Sequence, residues 1–254
     1  MTVESIGIIG YGHFGQFVHE LAGQFFPELT VRIHSRHIGE KDDTFVSMQA
    51  ACSCDVVILC GAISEYEEQI KIVTELAPEH SIIVDVATVK GFSSVLLRKH
   101  AGNRKFLSTH PMFGPESFKK HQGDVSGFRI VVTDYALGND EAVQMKNVFA
   151  QLGFVVVEMT ADEHDKRLAN SLFLTHYLAR SITRASFGRT NMDTLSFQFL
   201  MDAVESVAHD ERLFQDVYRF NPYCKEAVDR LHASLDEVYA ELRKSNEHHD
   251  LSHV

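Results

Sequence analysis

The run "SIGIIGYGHFG", Ser5–Gly15, constrains this chain more than any other stretch. An apolar strand pattern passes directly into Gly10, Gly12 and Gly15, spaced G-x-G-x-x-G, and a helical pattern follows. Each glycine has a distinct task. Gly10 makes a tight turn, Gly12 lets the backbone approach a pyrophosphate, and Gly15 lets helix pack on strand, while the helix N-terminus offers N–H groups to the anion. The spacing alone is common. With the strand before it and the helix after it, it reads as a dinucleotide-binding turn in which Tyr11, His13 and Phe14 complete the candidate cofactor contacts. The plainer alternative is a structural turn that binds nothing.

The surrounding pattern suits that reading. Up to about residue 158 short apolar runs alternate with helical segments, the signature of a parallel sheet wrapped by helices. The expected strands are Ser5–Ile9, Thr30–His34, Val56–Cys60, Ile82–Val86, Lys105–Ser108, Phe128–Thr133 and Phe154–Glu158, with helices at Gly15–Phe25, Ile63–Leu76 and Asp140–Leu152. "VVILC" and "SIIVDV" are apolar on both faces, as central parallel strands are. At "EMTADEHDK" the character changes. Thr160 with Glu163 is a capping-box start, and one helix is expected from Asp162 to about Arg189. Further helices are expected over residues 192–219 and 222–244, the latter with Pro222 in its first turn. The chain thus divides into an α/β part, residues 1–158, and a helical part, residues 159–254. The last ten residues, "SNEHHDLSHV", read as a frayed polar terminus, with metal binding by their histidines as the less economical reading.

Charge and composition narrow the partners. A net charge of -11 disfavours nucleic acid and anionic membrane, both of which call for basic patches, and points to a small ligand or another protein. No apolar run reaches the roughly 18 residues of a membrane span. Cys52, Cys54, Cys60 and Cys224 form no C-x-x-C pair and read as reduced core thiols. The first residues enter a strand at once, without a leader pattern. The expectation is a soluble, cytoplasmic protein with no resident metal.

The strand ends then say which ligand. A site for NAD usually carries an acid at the end of the second strand; here that strand ends "RIHSRH", with no acid until Glu40. Ser35 can donate to a 2′-phosphate and Arg36 can pair with it, so NADP is preferred, although a solvated Arg36 is the bland alternative. Ligands of an open parallel sheet sit beyond the carboxyl ends of its strands. Two such ends carry polar clusters, "DVATVK" (Asp85–Lys90) and "STHPMFGPES" (Ser108–Ser117). His110, just past its strand and stiffened by Pro111 and Pro115, is suited to taking a proton from a hydroxyl as hydride leaves. Thr88 on the neighbouring loop is placed to orient the ring or the substrate. A loop histidine that merely caps a turn is the alternative.

These motifs together resemble the prephenate and arogenate dehydrogenases of tyrosine biosynthesis, and "THPMFGPES" is similar to the plant-like arogenate dehydrogenase branch. The likeness runs from "GIIGYGHFG" through "DVATVKG" to "EMTADEHDKRLANSLFLTH", where Glu163–Asp165 and Thr175–His176 form a second match. The resemblance implies a Rossmann-type NADP-binding domain and an all-helical C-terminal domain that builds a homodimer. It implies His110 as acceptor of the proton from the substrate's C4 hydroxyl, Thr88 as its helper, and Lys90, His176 and Ser171 at the substrate. Leu172 departs from the glutamine that plant-like members tend to have.

For substrate choice, the position where prephenate-type enzymes commonly present arginine aligns here with Glu205, and Arg212 is the nearest arginine. Asp210 matches an acid of arogenate-preferring members that can pair with the ammonium group. Arogenate is therefore expected, with prephenate as the alternative; Asp210 as a helix cap and Glu205 facing solvent is the plainer reading. Two rivals stay open. Other NADP-dependent reductases, such as β-hydroxyacid dehydrogenases or imine reductases, carry their proton on a lysine or acid of the long helix, where this chain has only Lys166 near the start. A non-catalytic NADP sensor would have little use for His110, Thr88 and His176 together.

Overall fold

The apolar runs become a seven-stranded sheet in the computed structural model, which describes residues 3–207 and 211–247. The first compact unit, Met1–Asp165, holds β1 (Ser5–Ile9), α1 (His13–Phe25), β2 (Thr30–His34), α2 (Met48–Cys52), β3 (Val56–Leu59), α3 (Tyr66–Leu76), β4 (Ile82–Asp85), α4 (Lys90–His100), β5 (Lys105–Pro111), α5 (Pro115–Lys120), β6 (Arg129–Ala136), α6 (Asn139–Gln151) and β7 (Val155–Glu158). The strands order as β2-β1-β3-β4-β5-β6-β7. β1 to β5 run parallel, which brings the ends of β1 and β5 to the same carboxyl edge.

Two expectations about the sheet are corrected. β6 runs antiparallel to β5, with Pro111 opposite Ile130. The link between them does not cross a face of the sheet. Its short helix α5 packs Phe118 against Phe17 of α1, with ring centroids 5.2 Å apart, and the chain re-enters from the end it left. β5 is also longer than expected: it continues to Pro111, so His110 lies inside the strand and pairs with Val131. The neighbouring strand, rather than the prolines alone, holds its backbone. A register shift between Ser108 and Thr109 leaves Thr133 as an extra residue on β6, a bulge of the kind that re-aims side chains beside active sites.

The core follows from the strand composition. Val56, Ile82, Val84, Leu107 and Val132 pack on one face, while Ile6, Ile8, Ala22 and Ile33 form another cluster. Burying each large aliphatic side chain contributes roughly 1.5–3 kcal/mol. An aromatic cluster anchors α1, where Phe17 meets Phe113 and Phe118, and Phe113 stacks on Phe128 at 5.0 Å.

The long helix begins as expected, with Thr160 Oγ1 accepting from Glu163 N at 3.1 Å. It comprises α7 (Ala161–Leu168), a π-helical turn (Ala169–Phe173) and α8 (Leu174–Arg184). It stops before Gly188 because Ser186 takes a left-handed conformation, φ 60°. The second unit, Lys166–Val254, adds α9 (Leu195–Ser206), α10 (Glu211–Phe220) and α11 (Cys224–Glu247). The single helix expected over 192–219 is thus two helices. Within this unit Phe173 stacks on Phe214 at 5.3 Å, and Ala179, Met201 and Val204 form a small buried cluster. Asp210 and the tail beyond Glu247 lie outside the described residues.

Candidate active site

The glycine turn has the geometry a pyrophosphate needs. Gly10 has φ +101°, where a side chain would be strained and would press on the Cys60 backbone. At Gly15 a Cβ would overlap the Gly10 carbonyl oxygen, so helix and turn can approach only through glycine. At Gly12 nothing stands within 4 Å of such a Cβ. Gly12 is also the N-cap of α1, which has neither a side-chain cap nor an acid in its first turn. The helix start therefore keeps its N–H groups and positive dipole end for an anion. The side chains between the glycines are less available than expected. Tyr11 bonds His19 Nδ1 at 3.1 Å and packs edge-on to Phe45, and Phe14 joins the aromatic cluster; only His13 is exposed.

At the end of β2, Ser35 is buried, and its hydroxyl oxygen accepts from Ile38 N at 3.4 Å, a contact that closes its own turn and does not use the O–H. Arg36 is exposed and paired with Glu65.

Beyond β4 and β5 lies a buried polar cluster. Lys90, the first residue of α4, is fully buried and donates to Asp85 Oδ2 and Thr109 O at 2.6 Å and to Ser108 Oγ at 3.3 Å. Its three N–H groups are all used inside the protein, so the expectation of Lys90 as a substrate contact is overturned; it ties α4 to the ends of β4 and β5. Burial lowers its pKa, while Asp85 beside it favours the charged form. Ser108 also donates to Asp85 Oδ2 at 2.8 Å, and Thr109 Oγ1 donates to Asp85 O at 2.9 Å.

His110 is 5% exposed. Burial first, then His164 and the Lys90 charge, hold its pKa well below 6.5, so its imidazole is neutral at pH 7. Its Nδ1 lies 2.9 Å from Nε2 of His164, whose Nδ1 lies 2.8 Å from Asp165 Oδ1. Asp165 in turn accepts from Lys90 N at 2.9 Å through Oδ1 and from Gly91 N at 2.8 Å through Oδ2, capping α4. A Cβ on Gly91 would stand 2.7 Å from that oxygen, so glycine is what admits the carboxylate. Thr88 is half-buried in the link between β4 and α4. The hydrogen-bond partner of the His110 ring is therefore His164, for which sequence reasoning had no role; the "EHD" run was its signal.

The other expected residues belong to the second unit. His176 is buried on α8. Ser171, in the π-helical turn, is exposed and donates to Arg167 O at 2.7 Å. Arg212 is exposed in the first turn of α10. Glu205 is exposed and paired with Arg189 at 2.7 Å.

A glycine turn at the carboxyl edge of a largely parallel sheet, followed by a helical region, defines a Rossmann-type nucleotide-binding protein. Residues 29–158 match the profile of the prephenate dehydrogenase nucleotide-binding domain, and the chain belongs to that family. Residues 182–253 match the TYRAAT1-like C-terminal domain. Arogenate dehydrogenase 1, chloroplastic, of Arabidopsis thaliana is 28% identical over 93% of this chain, which spans only 39% of that relative. Arogenate dehydrogenase 2, chloroplastic, of the same plant is 28% identical over 93% of this chain and 69% of its own length. These relatives place the chain in the plant-like branch of the family. Among solved structures, prephenate dehydrogenase from A. aeolicus in complex with hydroxyphenyl propionate and NAD+ shares the fold, with TM-score 0.73, 18% identity, and coverage of 97% of this chain and 93% of that one. Among the described residues no helix is long and apolar enough to cross a membrane.

Proposed function

We propose that the chain catalyses the NADP-dependent oxidative decarboxylation of arogenate to tyrosine, with prephenate as the alternative substrate. The observation that carries this reading is His110, a neutral imidazole fixed at the same sheet edge as the glycine turn. The bound nucleotide supplies the hydride acceptor. His110 takes the proton of the C4 hydroxyl as hydride leaves C4; the C1–carboxylate bond breaks, carbon dioxide departs, and its electron pair enters the ring. The product phenolate recovers the proton, so His110 ends as it began. Aromatisation drives the reaction, which leaves the protein to position the ring and move one proton. Thr88 is the helper nearest in sequence to the buried cluster, and His176 the substrate contact from α8.

The preference for NADP rests on Arg36 and on the lack of an acid at the end of β2. Arogenate is favoured by Asp210, which can pair with an ammonium group, and by the likeness to the Arabidopsis arogenate dehydrogenases. A homodimer is supported by Leu235, Val238, Tyr239 and Leu242, an exposed apolar stripe at helical spacing on α11. Cys52, Cys54 and Cys224, buried and in no disulfide, suit a reducing compartment such as the cytoplasm. The test is initial-rate NADPH formation with arogenate and prephenate offered in parallel, each with NADP and NAD. Arogenate turnover with NADP is expected. A clear prephenate preference would keep His110 and move attention to Arg212, and NADPH binding without turnover of either diene would favour the sensor.

A further inference from the structure

We propose that His164 and Asp165 are positioning residues that fix the tautomer of His110, leaving Nε2 as its proton-accepting nitrogen. The catalytic meaning of this inference rests on the proposed function, but the arrangement itself does not.

The donor directions follow from one end of the chain of contacts. Asp165 accepts N–H groups from both Lys90 and Gly91 at the start of α4, where the helix dipole favours an anion. A carboxylate so engaged can only accept, so His164 Nδ1, 2.8 Å from Asp165 Oδ1, carries the hydrogen and donates it. In the neutral form of His164, which the proposal takes, the other nitrogen is then an acceptor. It stands 2.9 Å from His110 Nδ1, which must supply the hydrogen. His110 is thereby held with Nδ1 protonated and with the lone pair on Nε2, the reverse of the tautomer a free imidazole ordinarily favours. The groups facing His110 are His164 and Asp165 from α7, Lys90 from α4 and, behind Lys90, Asp85 from β4; Lys90 and Asp85 are already paired with each other.

The same carboxylate does two jobs. It caps α4, at whose start the Thr88 loop ends, and it orients the ring that orients the base. Asparagine at position 165 cannot do both: its amide nitrogen would face either Gly91 N–H or the donors Lys90 N–H and His164 Nδ1–H.

The test is long-range 1H–15N NMR on the full chain labelled with 15N-histidine, with and without NADP, assigning His110 by the signals lost in His110→Asn. The expected spectrum has a pyrrole-type Nδ1 and a pyridine-type Nε2 for His110. In His164→Phe the tautomer should reverse and kcat fall by at least about tenfold with KM and NADP affinity nearly unchanged, and His164→Gln, which restores an acceptor, should recover part of the loss. A pyridine-type Nδ1 in the wild type would overturn the inference without any variant needing to fold. So would His164→Phe with tautomer and kcat both unchanged. Because the spectrum needs no substrate, the expected tautomer without diene oxidation would sink the proposed function alone, and turnover with the opposite tautomer would sink the positioning role alone.

Discussion

The glycine turn and the His110 site sit at the same edge of one sheet but are built in different ways. The turn is contiguous: Gly10, Gly12 and Gly15 act through their own backbone, and their geometry is set within a strand, a loop and a helix. The His110 site draws on β4, α4, β5 and α7, spread from Asp85 to Asp165. One depends on the absence of side chains, the other on a buried network in which each polar group satisfies the next. A change in the turn is felt within that strand, loop and helix and against the Cys60 backbone, whereas a change in the network couples chemistry to stability across four elements.

That contrast predicts its largest effect at Lys90. Lys90→Met leaves the Asp85 carboxylate buried without its cation, and a loss of about 3–5 kcal/mol is expected in urea unfolding monitored by circular dichroism. A variant as stable as the wild type would mean that the cluster is not the strut described. On the nucleotide side of the comparison, beyond the end of β2, Arg36→Ala should leave stability unchanged and weaken NADP by roughly 10- to 100-fold while sparing NAD, as suits one charge-assisted contact. An equal loss for both nucleotides would remove Arg36 from recognition of the 2′-phosphate.

The smallest effect is one of pH. With its folded pKa depressed, His110 binds its proton more readily in the unfolded chain, so its contribution to stability is present above pH 6.5 and is lost as pH falls toward the folded pKa. The acid limb of kcat/KM should likewise lie below pH 6.5. A limb centred above that value would mean that the base is a different group or that its surroundings are wetter than described.

Legibility followed the same division. The glycine turn and the strand run to β4 could be read from neighbouring residues, because turn chemistry and period are local. The antiparallel β6 could not, since it depends on where Phe118 of α5 finds Phe17 of α1. The family resemblance implied Lys90 as a substrate contact, but its burial is decided by Asp85, Ser108 and Thr109. The clearest omission was "EHD": adjacent His164 and Asp165 gave no periodic signal, and their roles emerge only when α7 meets β5 and the start of α4. Gly91 was a similar silent marker, for its missing side chain is explained by Asp165.

The central claim is that His110 is the base and takes no part in holding the nucleotide. The measurement that tests it most directly pairs kcat with the NADP dissociation constant, read from ligand-induced fluorescence change, for wild type and His110→Asn. The account predicts a fall in kcat of about 10²–10⁴-fold with NADP affinity nearly unchanged. Turnover near the wild-type rate, or a loss confined to NADP binding, would contradict it.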